Sequence, residues 1–66
     1  MEDDWKKCEE LMKIKEFKTA LICVDAFIGK YSSEMKAYIM KGRCHSCLKE
    51  YESAIQAYTY ALTIDP

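Results

Sequence analysis

The most chemical-looking stretch of the sequence is Cys44-His45-Ser46-Cys47. A C-x-x-C pair can carry thiol–disulfide exchange when its first thiol has a lowered pKa. Redox enzymes obtain that pKa by setting the pair at the start of a helix, after a strand, where the helix dipole favours thiolate. Here the pair falls near the C-terminal end of a helical stretch, and no strand-like run precedes it. The negative end of the dipole holds the thiol in its neutral form. Zinc is the second chemistry the motif suggests. Cys44, His45 and Cys47 offer three ligands, and Cys8 or Cys23 a fourth. A structural zinc site needs four converging ligands. Adjacent helical residues such as 44 and 45 point about 100° apart, which disfavours shared coordination. Expected instead are free thiols: Cys8 and Cys23 as small packing residues, Cys44 between helices and Cys47 on a surface.

No other constellation points to catalysis. His45 is the single histidine, and no acid or nucleophile is placed to work with it. There is no nucleophile elbow and no glycine-rich phosphate loop. The reading is therefore of a non-enzyme, with no metal and no cofactor.

The elements that carry these residues are helical. The composition is rich in Ala, Leu, Ile, Met, Lys and Glu, with only two glycines and one proline. Apolar residues recur at three- and four-residue spacing in four stretches. Trp5, Cys8, Leu11 and Met12 form the first. Phe17, Ala20, Leu21, Val24 and Ile28 form the second. Tyr38, Gly42, His45 and Leu48 form the third, and Tyr51, Ala54, Ile55, Tyr58 and Leu62 the fourth. The spacing predicts helices over roughly 2–14, 17–31, 34–47 and 51–64. Lys15-Glu16 and Lys49-Glu50 mark tight bends. Ser32-Ser33 are expected to cap the third helix, and Asp65-Pro66 to end the fourth. Most of the five tyrosines are expected in the core. Tyr60 lies off the stripe and is expected at the surface or against a further element.

The chain also repeats itself. Lys15-Glu16-Phe17-Lys18-Thr19-Ala20-Leu21 returns 34 positions later as Lys49-Glu50-Tyr51-Glu52-Ser53-Ala54-Ile55. Three pairs are identical, three are close in chemistry and one reverses charge. Short bends make neighbouring helices antiparallel, so the fold class expected is all-α: two helix-turn-helix hairpins, 1–34 and 35–66, stacked in one domain. Small residues allow the approach, Ala20, Ala54 and Ala61 facing larger side chains and Gly42 admitting a neighbouring backbone.

At these spacings the sequence resembles the tetratricopeptide repeat (TPR) family, whose unit is 34 residues. In residues 35–66, Tyr38 stands at the first aromatic site and Gly42 at the glycine. Leu48, Tyr51, Ala54, Tyr58, Ala61 and Pro66 follow at matching places. Lys41 replaces the usual leucine and His45 the usual tyrosine. Residues 1–34 are a degenerate copy. Cys8, Phe17 and Ala20 fit, Trp5 is one place off, Phe27 stands for a small residue and Ser32 for the proline.

The resemblance implies an α-solenoid fragment that binds a peptide or helix in a concave groove lined by the first helix of each repeat. By position, Trp5, Lys6, Glu9, Met12 and Lys13 would line it from one repeat. Lys36, Ile39, Met40, Arg43 and Cys47 would do so from the other. Methionine adapts to varied apolar shapes, and Trp and Arg are frequent interface anchors. A chaperone-tail clamp is not expected. The family's Lys and two Asn for that task are replaced by Trp5, Glu9 and Met40, and a carboxylate at Glu9 repels an acidic tail.

The alternative is assembly. Solenoids generally stack three or more units with polar ends, and Tyr51, Tyr58, Ala61 and Leu62 leave an apolar last helix. Self-association, or modest stability alone, is the expectation. Thiol exchange through Cys44 and Cys47 is the third. The net charge of −1, with both signs interleaved, gives no nucleic-acid footprint. No apolar run approaches the roughly 20 residues of a membrane span. An acidic N-terminus is unlike a signal peptide. A cytoplasmic protein that binds another protein, or a copy of itself, is the expectation.

Overall fold

The computed structural model describes residues 2–64. Four helices follow in order: α1 Glu2–Lys13, α2 Phe17–Lys30, α3 Met35–Cys47 and α4 Tyr51–Ile64. The fold is all-α, with each helix packed on its neighbours in sequence and the broadest contact between α3 and α4. The periodicity located all four helices to within a residue or so. The expected stop at Asp65-Pro66 lies outside the described residues.

Both hairpin bends use the same device. The amide of Glu16 bonds the carbonyl of Leu11 at 2.9 Å, and that of Lys15 the carbonyl of Met12 at 3.1 Å. In the second hairpin Glu50 bonds His45 at 2.8 Å and Lys49 bonds Ser46 at 3.0 Å. These crossed bonds satisfy the last carbonyls of each helix, as in a Schellman ending. Every partner lies 34 positions from its counterpart. The geometry needs a left-handed residue, and Lys15 (φ 62°) and Lys49 (φ 63°) supply it. Lysine holds that conformation less easily than glycine does.

The helix starts differ from expectation. The N-cap of α3 is Glu34, which makes no side-chain cap bond, and neither Ser32 nor Ser33 caps the helix. The carbonyl of Ser32 instead accepts the Tyr38 hydroxyl at 2.9 Å. A glutamate precedes α2, α3 and α4 in turn, at 16, 34 and 50. A carboxylate there is favoured by the helix dipole, by about 0.3–1 kcal/mol at an exposed site.

The main core joins three helices: Cys8 of α1, Ala20, Val24 and Phe27 of α2, and Ala37, Met40 and Cys44 of α3. Phe27 is its largest buried side chain. The Phe27 ring sits 5.2 Å from Trp5 and 4.8 Å from Tyr31, both tilted, as aromatic quadrupoles prefer. Helix α4 buries only Ala54, Ala57 and Ala61. With so small a buried stripe, its backbone can lie close to α3. Gly42 completes the approach: a Cβ there would meet the Tyr58 ring at 2.7 Å. The group admitted by Gly42 is therefore an aromatic ring, where the spacing suggested a backbone.

The tyrosines correct the sequence reading. Tyr51 (59% exposed), Tyr58 and Tyr60 lie on the surface, and Tyr31 and Tyr38 are half-buried. The fourth apolar stripe is split, its alanines turned inward and its large side chains outward. Tyr60 does meet a neighbour, stacking on Tyr38 at 4.5 Å.

Candidate functional site

The face read from sequence as a groove is carried by α1 and α3, which meet through two side-chain contacts. Lys36 Nζ stands 4.8 Å over the Trp5 ring, a cation–π contact. The Cys44 thiol donates to Met12 Sδ at 3.3 Å across the same pair of helices. Trp5, Met12 and Ile39 are half-buried along this seam, and Glu9, Lys13, Lys36, Arg43 and Cys47 are exposed. The result is an apolar seam with three cations and one carboxylate around it.

Two of the expected lining residues depart from it. Met40 is a core residue, 9% exposed and packed with Ala37 and Cys44. A helix turn carries 3.6 residues, so the side that meets the first hairpin through 37 and 44 also carries 40. Lys6 is exposed on the flank of α1 that corresponds, 34 residues earlier, to Met40. It lies with Asp3 and Glu10, apart from the seam.

Two of the thiols, Cys8 and Cys44, are held in their neutral form. Burial pushes Cys8 up to about 12, with the neighbouring Cys23 adding to the shift. Burial also pushes Cys44 up to about 11, with Cys47 and Asp25 reinforcing it. Cys44 is enclosed, Cys47 is exposed, and both are free. A buried thiol of that pKa is a poor nucleophile at neutral pH. His45 is mostly shielded, and its Nδ1 lies 2.8 Å from Glu50 Oε1, joining the end of α3 to the start of α4. Among the described residues no three His, Cys, Asp or Glu side chains converge as a metal site would need. Among the same residues no helix is long and apolar enough to cross a membrane.

Two clefts of about 330 Å³ open elsewhere, one between the helices of each hairpin. The first is lined by Asp4, Lys7, Leu11, Thr19, Ile22, Cys23 and Ala26, and also by Phe27 and Lys30. The second is lined by Tyr38, Lys41, His45, Ser53, Gln56, Ala57 and Tyr60. Each of these seven lies 34 positions after one of the first seven. The clefts are the same feature of the repeat in two chemistries, apolar in the first hairpin and polar in the second. Sequence reasoning missed both. One signal was present: Ile22, 71% exposed, falls off the Phe17–Ile28 stripe, so α2 is apolar on more than one side.

Comparison of the chain with protein-family models, with curated protein sequences and with solved structures gave no match.

Proposed function

We propose that this chain is a protein-interaction module of the tetratricopeptide kind, acting as an adaptor or scaffold in the cytoplasm. The supporting observation is the half-buried seam of Trp5, Met12 and Ile39 ringed by the exposed Lys13, Lys36 and Arg43. Half-buried apolar side chains give a peptide something to desolvate, and cations around them orient it. With Glu9 as the one carboxylate among three cations, the occupant is an apolar peptide or helix with acidic flanks. Repetition of both bends at the 34-residue spacing supports the family reading. Free thiols suit a reducing compartment.

The test is a displayed peptide library selected on the folded chain and, in parallel, on a Lys36→Glu, Arg43→Glu variant. Both positions are exposed, so the variant keeps its fold. The expected result is enrichment of apolar segments flanked by Asp or Glu, lost on the variant. Equal enrichment on both proteins would remove the seam as the site. Met40→Glu is unsuitable here, because it would put a carboxylate into the core.

A second reading has its own observation. Ile55 and Leu62 on α4 are 63% and 62% exposed beside Tyr51, an apolar face of the kind an assembly element carries. Thiol exchange is the weakest reading, since burial keeps Cys44 protonated.

A further inference from the structure

Two of the four thiols meet across the first hairpin. Cys8 on α1 lies in the main core, and Cys23 on α2 packs against that core. Their repeats 34 residues on are Gly42 and Ala57, both buried. These two positions therefore point into each hairpin, and the first hairpin fills both with sulfur. Cys8 has no exposed surface. Cys23 is half-buried and opens on the apolar cleft of about 330 Å³, where a small neutral oxidant can reach it. Burial first, and then the neighbouring Cys23 thiol, make Cys8 hold its proton. One thiol of the pair is thus shielded and the other open, on helices joined by a tight bend.

We propose that Cys8 and Cys23 are a reversible disulfide pair, closed by hydrogen peroxide and opened by a dithiol reductant. The Cys23 thiolate attacks one peroxide oxygen and the O–O bond breaks. Cys23 becomes a sulfenic acid, and the departing hydroxide takes up the thiol proton as water. The Cys8 sulfur then attacks the Cys23 sulfur. The S–O bond breaks, and the hydroxyl leaves with the Cys8 proton as a second water. Two electrons pass from the sulfur pair to the peroxide. Exposure sets the order: the open thiol is oxidised first and the shielded one resolves it.

The bonded residues are 15 apart in sequence, and the bond ties α1 to α2, the helix on which it mainly packs. Closing such a loop removes freedom from the unfolded chain, so the oxidised form is the more stable. It also fastens the helix that carries Trp5 and Met12.

Cys44 with Cys47 fits less well. Cys44 is enclosed, its thiol donating to Met12 Sδ at 3.3 Å, while Cys47 is exposed. Joining them would draw Cys44 from that contact and tie a single turn of α3.

The test treats the folded, reduced chain with hydrogen peroxide, alkylates the remaining thiols after denaturation, and maps tryptic fragments without reduction. Cys8 falls in fragment 8–13 and Cys23 in 19–30, while Cys44 and Cys47 share 44–49. The expected product is 8–13 linked to 19–30, lost with dithiothreitol and in Cys23→Ser, and kept in Cys47→Ser. The oxidised chain is expected to unfold at a higher urea concentration than the reduced one, a shift absent in Cys23→Ser. Circular dichroism checks that this variant keeps its helices; the fragment map of the unaltered chain stands without it. The proposal is overturned if peroxide leaves Cys23 unoxidised, or takes it to sulfinic acid while Cys8 stays free. It is equally overturned by a disulfide confined to 44–49, or by links formed only between separate chains.

Discussion

The two hairpins share a backbone plan and differ in what fills it. Their bends repeat bond for bond, with Lys15 and Lys49 in the same left-handed conformation. Seven lining residues of one cleft repeat in the other at the 34-residue step. The packing does not repeat. The first hairpin buries Val24 and Phe27 on α2, and the second places Tyr58 and Ala61 at those positions. The first therefore holds large side chains in the shared core. The second packs α4 on α3 through alanines, seats the Tyr58 ring over Gly42 and leaves Tyr51, Ile55 and Leu62 outside. A backbone repeat thus needs only the turn chemistry and the helix spacing, while the interior is free to change as long as the space is filled.

The largest expected effect tests where the core resides. Phe27→Ala should cost about 3–5 kcal/mol, while Tyr58→Ala should cost roughly 1 kcal/mol because its ring is partly solvated. Urea unfolding by circular dichroism measures both. Equal costs would mean that the hairpins contribute alike, and the contrast would fail.

High pH is next. Burial pushes Cys8 up to about 12 and Cys44 up to about 11 in the folded chain, from the ordinary thiol value of 9.0. Each raised value means that the folded state holds its proton where the unfolded state has lost it. Their contribution is complete below pH 9.0 and falls away as pH rises, to about 11 for Cys44 and about 12 for Cys8. The slope is about 1.4 kcal/mol per pH unit for each thiol. Replacing Cys44 by Ala should flatten that part of the profile. The same burial makes Cys47 the first thiol to react with an alkylating reagent and Cys8 and Cys44 the last. Fast labelling of Cys44 in the folded chain would reopen the redox reading.

The two glycines should respond with opposite signs. Gly29 has no atom near its would-be Cβ, so Gly29→Ala should raise stability by about 0.5–1 kcal/mol through helix propensity. Gly42→Ala must push the Tyr58 ring aside and should lower stability by roughly 1 kcal/mol. Made on a Tyr58→Ala background, the same change should stabilise. A double-mutant cycle by thermal unfolding reads the coupling.

The smallest effect should be the same in both hairpins. Lys15→Gly and Lys49→Gly each relieve a left-handed lysine and should add about 0.5 kcal/mol. A change of opposite sign at one of them would show that the bends are not equivalent.

Spacing alone located the four helices, the two bends and the 34-residue step, because hydrophobic period and turn geometry are local properties of the chain. It also placed Trp5, Lys36 and Arg43 on helices that turn out to be neighbours. It misassigned Met40, which packs into the core beside Ala37 and Cys44, because which side of α3 meets the first hairpin is set by packing. It expected serine caps where Glu34 stands, since a capable side chain caps only if the backbone turns it toward the free amides. It took the α4 stripe as core, because periodicity shows that a helix has an apolar side without showing what lies against it. The tertiary structure decided that α4 turns its alanines inward. The alanines fill the inward positions of α4 and Gly42 leaves the space that the Tyr58 ring takes, so a larger side chain at any of these places would force α3 and α4 apart.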